Sequence, residues 1–287
     1  MISRKQLLAL FLVLFILIPM LSGCFFEEDT ALSIHVIDVG QGDSILIKTP
    51  NGKTMLIDGG EPAAGKTVVS YLKKRKVKKI DLLVATHPHA DHIGGLIDVI
   101  HSIPIDKFYM PHKLHTSKTF ENLLDAAKDK DLKISAATAG IMIDFDEDIT
   151  LYFLGPLRDY GDDLNLWSAV VKMDYKEKSF LFTGDLEALG EEDILSGFQK
   201  DFLKSQFLKV GHHGSRTSTT ENFLQVIEPT VAVISCGRNN SYGHPHEEVI
   251  NRLNLFNIAV YRTDMQGTIV IKSDGNRIWS HQKPYYH

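Results

Sequence analysis

The sequence Thr-His-Pro-His-Ala-Asp-His-Ile-Gly-Gly occupies residues 86–95 and guides the interpretation of the whole chain. It directly follows an apolar, β-branched run that predicts a strand. Side chains alternate along an extended chain, so His87 and His89 can face one point. Asp91 and His92 come beyond the turn and can face a second point nearby. The pattern predicts two adjacent divalent cations held by imidazole and carboxylate groups.

The order H-x-H-x-D-H after a strand resembles the signature of the metallo-β-lactamase superfamily. That resemblance implies a metal-dependent hydrolase with an αββα sandwich, in which two sheets pack face to face with helices outside. A histidine-rich surface loop is the alternative, but it explains neither the order of the residues nor their place at a strand end. Zinc is the first expectation for the two divalent cations, and manganese is the second.

Two metals need more ligands than one loop supplies. Asp185 follows the apolar run 181–183, and a carboxylate at a strand end is well placed to bridge two cations. His212 and His213 follow another strand-like run, and the sequence leaves open which of them binds metal. Both segments resemble later motifs of the superfamily. Asp58 resembles its early Asp motif, whose side chain supports the metal loop without binding metal.

One ligand that the superfamily resemblance implies is missing. Most members place a histidine on the strand before the Gly-Asp motif, whereas residues 163–171 contain none. His87, His89 and the shared carboxylate would then hold the first cation together with water or a weak oxygen ligand, such as Asn165 or Ser168. This departure argues against an ordinary β-lactamase or glyoxalase II, and it favours exchangeable metal binding.

Six segments together resemble one subgroup, the hydrolase domain at the C-terminus of the ComEC family of DNA-uptake proteins. The segments are residues 39–44, 91–96, 165–170, 212–215, 240–245 and 262–264. The resemblance covers residues 32–272 and implies competence-related chemistry on a phosphodiester, with DNA as the candidate substrate. The multi-helix membrane channel of that family has no counterpart in this sequence. We therefore expect a free-standing relative, and a role in DNA uptake does not follow automatically.

The start of the chain predicts export and anchoring. Two basic residues precede an apolar run over residues 7–21, and Leu-Ser-Gly-Cys then ends at Cys24. This pattern is typical of a bacterial lipoprotein signal, which would place the protein on the outer face of the cell membrane. An uncleaved anchor is the alternative, but the run is shorter than the roughly 20 residues of a spanning helix. The predicted division is a signal peptide over residues 1–23, a lipidated Cys24 with a short tether over 24–31, and a hydrolase domain over 32–287.

The hydrophobic pattern predicts two halves of mixed secondary structure. Alternating apolar runs over residues 32–38, 44–48 and 53–58 are separated by turn-forming segments, which predicts an antiparallel meander. A second antiparallel set is expected over 132–183, with runs at 132–135, 141–144, 149–154, 166–174 and 178–183. Helix–strand units then lead to a final hairpin with Gly275 at its tip. The predicted fold class is α/β with α+β character. It is an αββα sandwich of two mostly antiparallel sheets packed face to face with outer helices.

Composition limits the function classes. The chain has 287 residues and a formal net charge of −5, which gives no overall attraction to nucleic acid. It contains two cysteines, so a lipidated Cys24 would leave Cys236 without a disulfide partner. Cys236 ends an apolar run, and we expect a buried, inert thiol rather than a nucleophile. The sequence has no C-x-x-C pair, which excludes a structural zinc ribbon.

The predicted centre suits hydrolysis. Two adjacent cations lower the pKa of a water molecule and stabilise negative charge on a substrate oxygen. Asp91 is expected to orient that water as well as to bind metal. His244 and Tyr242 are candidates for protonating a leaving oxygen or holding a phosphate oxygen. The other interpretation of these two residues is a rigid turn before a helix.

Three functions fit the sequence. The first is a metal-dependent phosphodiesterase or nuclease outside the cell. The second is a hydrolase of an acyl bond, such as a lactone or β-lactam, and the third is a non-catalytic binding lipoprotein. Lys209 and Arg216 flank the histidine pair and could attract a phosphate, but we expect ordinary surface cations. No feature of the sequence indicates a protein partner.

Overall fold

The computed structural model describes residues 31–285. The predicted signal peptide and the predicted lipidation site, Cys24, lie outside the described residues. None of the helices between residues 31 and 285 has the length and apolar composition that crossing a membrane requires.

Strands and short helices alternate along the described chain. The strands are β1 (Leu32–Val36), β2 (Ile45–Lys48), β3 (Thr54–Ile57), β4 (Leu82–Val84), β5 (Phe108–Met110), β6 (Ile134–Ala136), β7 (Met142–Asp146), β8 (Ile149–Phe153), β9 (Val171–Tyr175), β10 (Lys178–Phe182), β11 (Phe207–Lys209), β12 (Val231–Ile234), β13 (Ala259–Arg262), β14 (Ile269–Ser273) and β15 (Ile278–Trp279). The α-helices are α1 (Gly65–Lys74), α2 (Ala90–Ile93), α3 (Leu96–Ser102), α4 (Lys118–Asp129), α5 (Ala188–Gly197), α6 (Lys200–Leu203), α7 (Glu221–Ile227), α8 (Glu247–Leu255) and α9 (Thr263–Gln266). Short 3-10 helices lie at Pro62–Ala64, Asn165–Trp167 and Gly211–Gly214.

Two sheets form the centre of the fold. The first sheet has the order β15-β14-β1-β2-β3-β4-β5-β6, and the second has the order β13-β12-β11-β10-β9-β8-β7. Ile45 and Ile47 of β2 face the core between the sheets, while Leu46 faces the core beneath the helices of the first sheet. Side chains alternate along a strand, and both faces of these sheets are covered, so central strands such as β4 and β12 are apolar at every position. This arrangement confirms the predicted αββα sandwich.

Parallel pairing is more extensive than the sequence predicted. The meander of β1, β2 and β3 is antiparallel, as expected, but β3, β4, β5 and β6 pair in parallel. In the second sheet, β10 to β13 are parallel and β7 to β10 are antiparallel. Both sheets are therefore mixed. The reason is that helical crossovers connect neighbouring strands in each half, and such connections produce parallel neighbours.

Two sequence assignments were wrong in detail. The run that starts at residue 132 was assigned to the second antiparallel set, but β6 is the parallel edge strand of the first sheet. The run over 166–174 was expected to be one strand, whereas a 3-10 turn at Asn165–Trp167 precedes β9. Short apolar runs carry no periodicity that distinguishes these possibilities.

The parallel strands position the candidate site. Asp58 follows β3, and the HPHADH loop follows the neighbouring strand β4. Asp185 follows β10, and the histidine pair follows β11, its parallel neighbour. The carboxyl ends of parallel neighbours meet at one edge of a sheet, and the two sheets face each other. Side chains from four strand ends therefore meet between the sheets.

Cys236 follows β12 and is fully buried, as the sequence predicted. Burial and the nearby carboxyl of Asp264 raise the pKa of the Cys236 thiol to about 12. A thiol that stays protonated at neutral pH is a poor nucleophile.

His35 of β1 is a buried histidine away from the candidate site. Its Nδ1 lies 2.9 Å from the Tyr71 hydroxyl, and its Nε2 lies 3.1 Å from Ser33 Oγ. Burial, followed by the positive charges of Arg75 and Lys48, lowers the pKa of His35 from 6.5 to about 3. The unfolded chain therefore binds a proton here at a higher pH than the folded protein does.

This difference predicts the acid sensitivity of the fold. The stability associated with neutral His35 is complete above pH 6.5 and is lost as the pH falls from 6.5 toward about 3. Over this range, protonation of His35 lowers the free energy of unfolding by up to about 1.4 kcal/mol for each pH unit. We expect the free energy of unfolding of His35→Gln to fall less steeply over this range, by urea denaturation in the presence of chelator. Parallel pH profiles for the two proteins would contradict this expectation.

Candidate metal centre

Asp185 is the central residue of the candidate site. Its side chain is 3% exposed, and its Oδ2 lies 3.2 Å from His92 Nε2 and 3.3 Å from His213 Nε2. The same oxygen lies 3.9 Å from His87 Nε2 and 3.7 Å from His212 Nε2. Its second oxygen, Oδ1, is buried and has no hydrogen-bond partner among the described residues. A buried carboxylate with a free oxygen and imidazole nitrogens around it is a suitable bridge between two cations.

Four side chains form a compact donor set that we call the tight group: Asp91, His92, Asp185 and His213. One ligand atom from each lies within 4.8 Å of the others. His213 Nε2 lies 3.3 Å from Asp91 Oδ2 and 3.3 Å from His92 Nε2. Ligands about 2.0–2.1 Å from a tetrahedral cation are separated by about 3.3 Å. The spacing and the mixture of nitrogen and oxygen donors therefore fit a divalent cation.

His87, His89 and Asp185 form a second set, which we call the open group. His87 Nε2 lies 2.9 Å from His89 Nδ1, so both rings turn toward the same region. The Asp185 oxygen is farther away, at 3.9 Å from His87 Nε2. Two nitrogens and one shared oxygen fit a second cation only if further donors complete its coordination.

Asp58 orients His92. Asp58 lies just beyond β3 in a left-handed backbone conformation, with φ of 57°. Its carboxylate accepts hydrogen bonds from the backbone N–H of Thr86 at 2.8 Å and from His92 Nδ1 at 2.8 Å. Because Nδ1 of His92 donates to Asp58, Nε2 is the nitrogen that faces the centre. The structure thus places Asp58 behind the metal loop rather than among the nearest donors.

Two consecutive left-handed residues aim the histidine pair in different directions. His212 and His213 have φ of 46° and 54°, a conformation that non-glycine residues rarely adopt. His213 Nδ1 donates to the carbonyl of Ser235 at 2.9 Å, which turns its Nε2 into the tight group. His212 Nδ1 instead donates to Glu187 Oε1 at 3.0 Å. The structure places His213 in the compact donor set and His212 at its margin.

The segment without the expected histidine contacts the centre indirectly. Ser168 Oγ accepts a hydrogen bond from the backbone N–H of Asp185 at 3.0 Å, which fixes the start of that carboxylate loop. Asn165 Nδ2 donates to Glu187 Oε1 at 3.3 Å, and Asn165 Oδ1 is buried without a partner among the described residues. Of the two oxygen donors expected here, the Asn165 carbonyl is the one that remains available.

His244 and Tyr242 lie at the outer rim. The His244 ring centroid is 5.5 Å from that of His212, and the Tyr242 ring stacks on His244 at 5.6 Å. Tyr242 is 63% exposed, so its outer face is open to solvent. Burial, with the nearby charges of His213 and His212, lowers the pKa of His244 to about 4. A neutral imidazole favours holding a phosphate oxygen over donating a proton to a leaving group.

Carboxylates and imidazoles balance each other electrostatically in the tight group. Burial opposes ionisation of Asp185, but His213 and His92 outweigh burial and hold its pKa well below 3.8. The surrounding carboxylates conversely raise the pKa of His92 and His213 well above 6.5, against the effect of burial. These imidazolium charges offset the carboxylates, and a divalent cation would replace the protons in that role.

Sequence reasoning assigned no site role to Glu187 or Asp43, and it misplaced Lys209. Glu187 was passed over, although it lies two residues after Asp185. Asp43 entered only as part of segment 39–44, one of the segments that carry the family resemblance, without a role of its own. Lys209 was expected on the surface, and this was wrong: it is 0% exposed and its Nζ lies 2.7 Å from Asp43 Oδ2. Arg216, at 59% exposure, is the surface cation that was expected. A single sequence contains no pattern that indicates contact between residues as far apart along the chain as Asp43 and Lys209.

Metal binding should stabilise the fold through the tight group. Addition of Mn²⁺ or Zn²⁺ to chelator-treated protein at about 100 times its dissociation constant adds about 2.7 kcal/mol of stability. For a domain of this size, we expect a rise in Tm of roughly 5–10 °C by differential scanning fluorimetry. Asp185→Asn should remove most of this shift, whereas the exposed control Asp106→Asn should retain it. Equal shifts for both variants would contradict the assignment of Asp185.

Comparisons with known proteins agree with the fold and the centre. A family model for the metallo-beta-lactamase superfamily matches residues 37–238. ComE operon protein 3 of Bacillus subtilis is 32% identical over 253 residues, which cover 82% of this chain and 32% of that protein. Competence protein ComA of Neisseria gonorrhoeae is 33% identical over 244 residues, which cover 85% of this chain and 32% of that protein. This chain thus spans about a third of the length of the two relatives.

Among solved structures, Igni18, a metallo hydrolase from Ignicoccus hospitalis, has the same fold. It superimposes with a TM-score of 0.55 and 18% identity, and the match covers 83% of this chain and 98% of that one. The relatives named above confirm the resemblance to competence proteins that the sequence motifs indicated. From the motifs, the two-sheet fold and the family match together, the chain belongs to the metallo-beta-lactamase superfamily.

Proposed function

We propose that this protein is a metal-dependent phosphodiesterase that acts on the outer face of the cell membrane, with DNA as the candidate polymer substrate. The carrying observation is the shared carboxylate. Asp185 Oδ2 contacts the tight group closely, at 3.2–3.3 Å, and the open group more distantly, at 3.9 Å. The open group offers three donors, whereas the tight group offers four, which leaves room at the open group for an oxygen of a bound substrate.

Two divalent cations at these groups would supply an activated water and would stabilise negative charge on the phosphate. The side chains have separate tasks. The side chain of Asp91 is 26% exposed. Burial opposes its ionisation, but the neighbouring His92 and His213 hold the pKa of its carboxyl below the ordinary value. Its ionised carboxylate can therefore orient the attacking water and accept a hydrogen bond from it. Asp58 fixes the ring of His92, and Glu187 fixes the ring of His212.

The rim supplies contacts to the substrate. Neutral His244 can donate a hydrogen bond to a non-bridging phosphate oxygen. The exposed face of Tyr242 offers a stacking surface for a nucleobase, and such stacking tolerates any base sequence. The net charge of −5 gives no general attraction to nucleic acid, so recognition would depend on contacts at the centre and its rim.

The relatives support DNA as the substrate class. The relative from Neisseria gonorrhoeae is named a competence protein. Another relative, from Haemophilus influenzae, is named Recombination protein 2 and is 29% identical over 250 residues. Since the chain spans about a third of these proteins, activity on DNA is part of our proposal.

A substrate panel tests the reaction class. We expect chelator-treated protein to lose bis-p-nitrophenyl phosphate hydrolysis and to regain it with Mn²⁺ or Zn²⁺. Asp185→Ala should lower kcat/KM at least about hundredfold, since loss of a ligand costs more than loss of a residue behind it. Hydrolysis of nitrocefin or a lactone without phosphodiester cleavage would replace this proposal with acyl hydrolysis. Absence of turnover with every substrate and metal would favour a binding protein.

The proposed location depends on Cys24. The Leu-Ser-Gly-Cys sequence before the described residues supports lipidation of this cysteine after signal cleavage. We expect wild-type protein to carry acyl chains and to fractionate with membranes, whereas Cys24→Ser should lose the acyl label, as measured by palmitate incorporation and fractionation. An acylated Cys24→Ser product would rule out this anchor.

A further inference from the structure

Lys209 is a fully buried lysine whose ammonium group contacts no solvent. It lies at the end of β11, and its side chain is 0% exposed. Its Nζ lies 2.7 Å from Asp43 Oδ2 and donates a hydrogen bond to the carbonyl of Val210 at 2.8 Å. Asp43 is 1% exposed, so both partners of this ion pair are removed from water.

The ion pair joins the two sheets directly beneath the metal centre. Asp43 belongs to the loop between β1 and β2 of the first sheet, whereas Lys209 belongs to the second sheet. The backbone N–H of Asp43 donates to the carbonyl of Asp91 at 3.2 Å. Asp43 Oδ1 lies 3.6 Å from His213 Nδ1. Asp43 therefore contacts one donor residue of the tight group from each sheet.

The same loop is attached to the centre a second time. Ser235 Oγ donates to the carbonyl of Gly42 at 2.8 Å, while the carbonyl of Ser235 accepts the hydrogen bond from His213 Nδ1. A side chain at Gly42 would place its Cβ 2.1 Å from the carbonyl oxygen of Asp91. Only glycine allows the loop to pack this closely against the metal loop.

Stability alone does not explain such a pair. The free energy needed to remove two charges from water is about as large as the free energy gained from their attraction. A protein with a well-packed apolar pair in place of a buried ion pair is therefore often equally stable or more stable. Asp43 also lies in a group with Asp58 and His92 whose ligand atoms are within 4.8 Å of each other. The ammonium group of Lys209 adds a positive charge beside this second carboxylate cluster, at 2.7 Å from Asp43.

We propose that the Asp43–Lys209 ion pair positions the metal centre by fixing the spacing between the two sheets. It holds the Asp91 loop of the first sheet and His213 of the second sheet at the separation that a cation requires. Asp43 and Lys209 are positioning residues and do not contact the substrate. This inference rests on the metal centre of the proposed function, but not on which bond the protein hydrolyses.

The test neutralises both charges together. The variant is Asp43→Asn combined with Lys209→Met, in the full-length chain purified in detergent. The matched control is Lys172→Met combined with Asp174→Asn, which removes a mostly buried Lys–Asp pair of β9. Two quantities are measured: the urea midpoint in the presence of chelator, and the Mn²⁺ dissociation constant by titration of the metal-free protein.

We expect the Asp43/Lys209 double variant to keep the wild-type urea midpoint and to bind Mn²⁺ at least tenfold more weakly. The control should bind Mn²⁺ as the wild type does. Binding by the double variant within twofold of the wild type would overturn the inference, as would a lowered urea midpoint with unchanged metal affinity.

A second variant covers the case in which the double variant does not fold. Ser235→Ala keeps both charges and removes only the hydrogen bond to Gly42, and it should weaken Mn²⁺ binding about threefold. Unchanged affinity in Ser235→Ala would count against positioning by this loop. If the wild-type protein itself binds neither Mn²⁺ nor Zn²⁺, the metal centre is refuted. That result would be independent of the Asp43–Lys209 pair, since no residue has been substituted.

Discussion

The buried carboxylate of Asp185 is the constraint on which the rest of the site depends. A carboxylate removed from water is costly unless positive charge or hydrogen bonds compensate it. Here ring nitrogens of four histidines, His87, His92, His212 and His213, lie 3.2–3.9 Å from one of its oxygens. Imidazole nitrogens around one carboxylate oxygen form a set of ligands that suits divalent cations. Binding of such cations would account for the convergence of histidines from both sheets on Asp185.

The fold makes this convergence possible because each sheet contributes two adjacent strand ends. The first sheet supplies the HPHADH loop with Asp58 behind it, and the second supplies Asp185 with the histidine pair. Neither half holds a complete donor set, so the spacing between the sheets determines the geometry of the tight group. The Asp43–Lys209 ion pair connects the two sheets at a distance of 2.7 Å and is removed from water. Because the geometry of the tight group depends on the spacing between the sheets, this pair is suited to hold that spacing.

The nearby donors could be predicted from sequence because each motif is short and lies at the end of an apolar strand. His87, His89, Asp91 and His92 lie within six consecutive positions, and side-chain alternation indicates that His87 and His89 face one point. The αββα architecture also followed from the alternation of apolar runs together with the family resemblance. The roles of individual donors remain proposals, although the structure brings their side chains together.

The residues that connect the halves could not be predicted. Lys209 and Asp43 are far apart in the chain, and a lysine beside a histidine pair has the same sequence appearance whether it is buried or exposed. The choice between His212 and His213 depends on left-handed backbone angles and on acceptors at Glu187 and Ser235. The strand β6 was misassigned because its three residues have no periodicity that indicates which sheet it joins.

Anomalous diffraction from crystals grown with Mn²⁺ tests the shared-carboxylate centre most directly. We expect two anomalous peaks about 3.5–4 Å apart, with Asp185 between them. One peak should lie among Asp91, His92 and His213, and the other beside His87 and His89, with the lower occupancy at the second. A single peak distant from Asp185, or none at either position, would contradict the assignment of a two-metal centre at these residues.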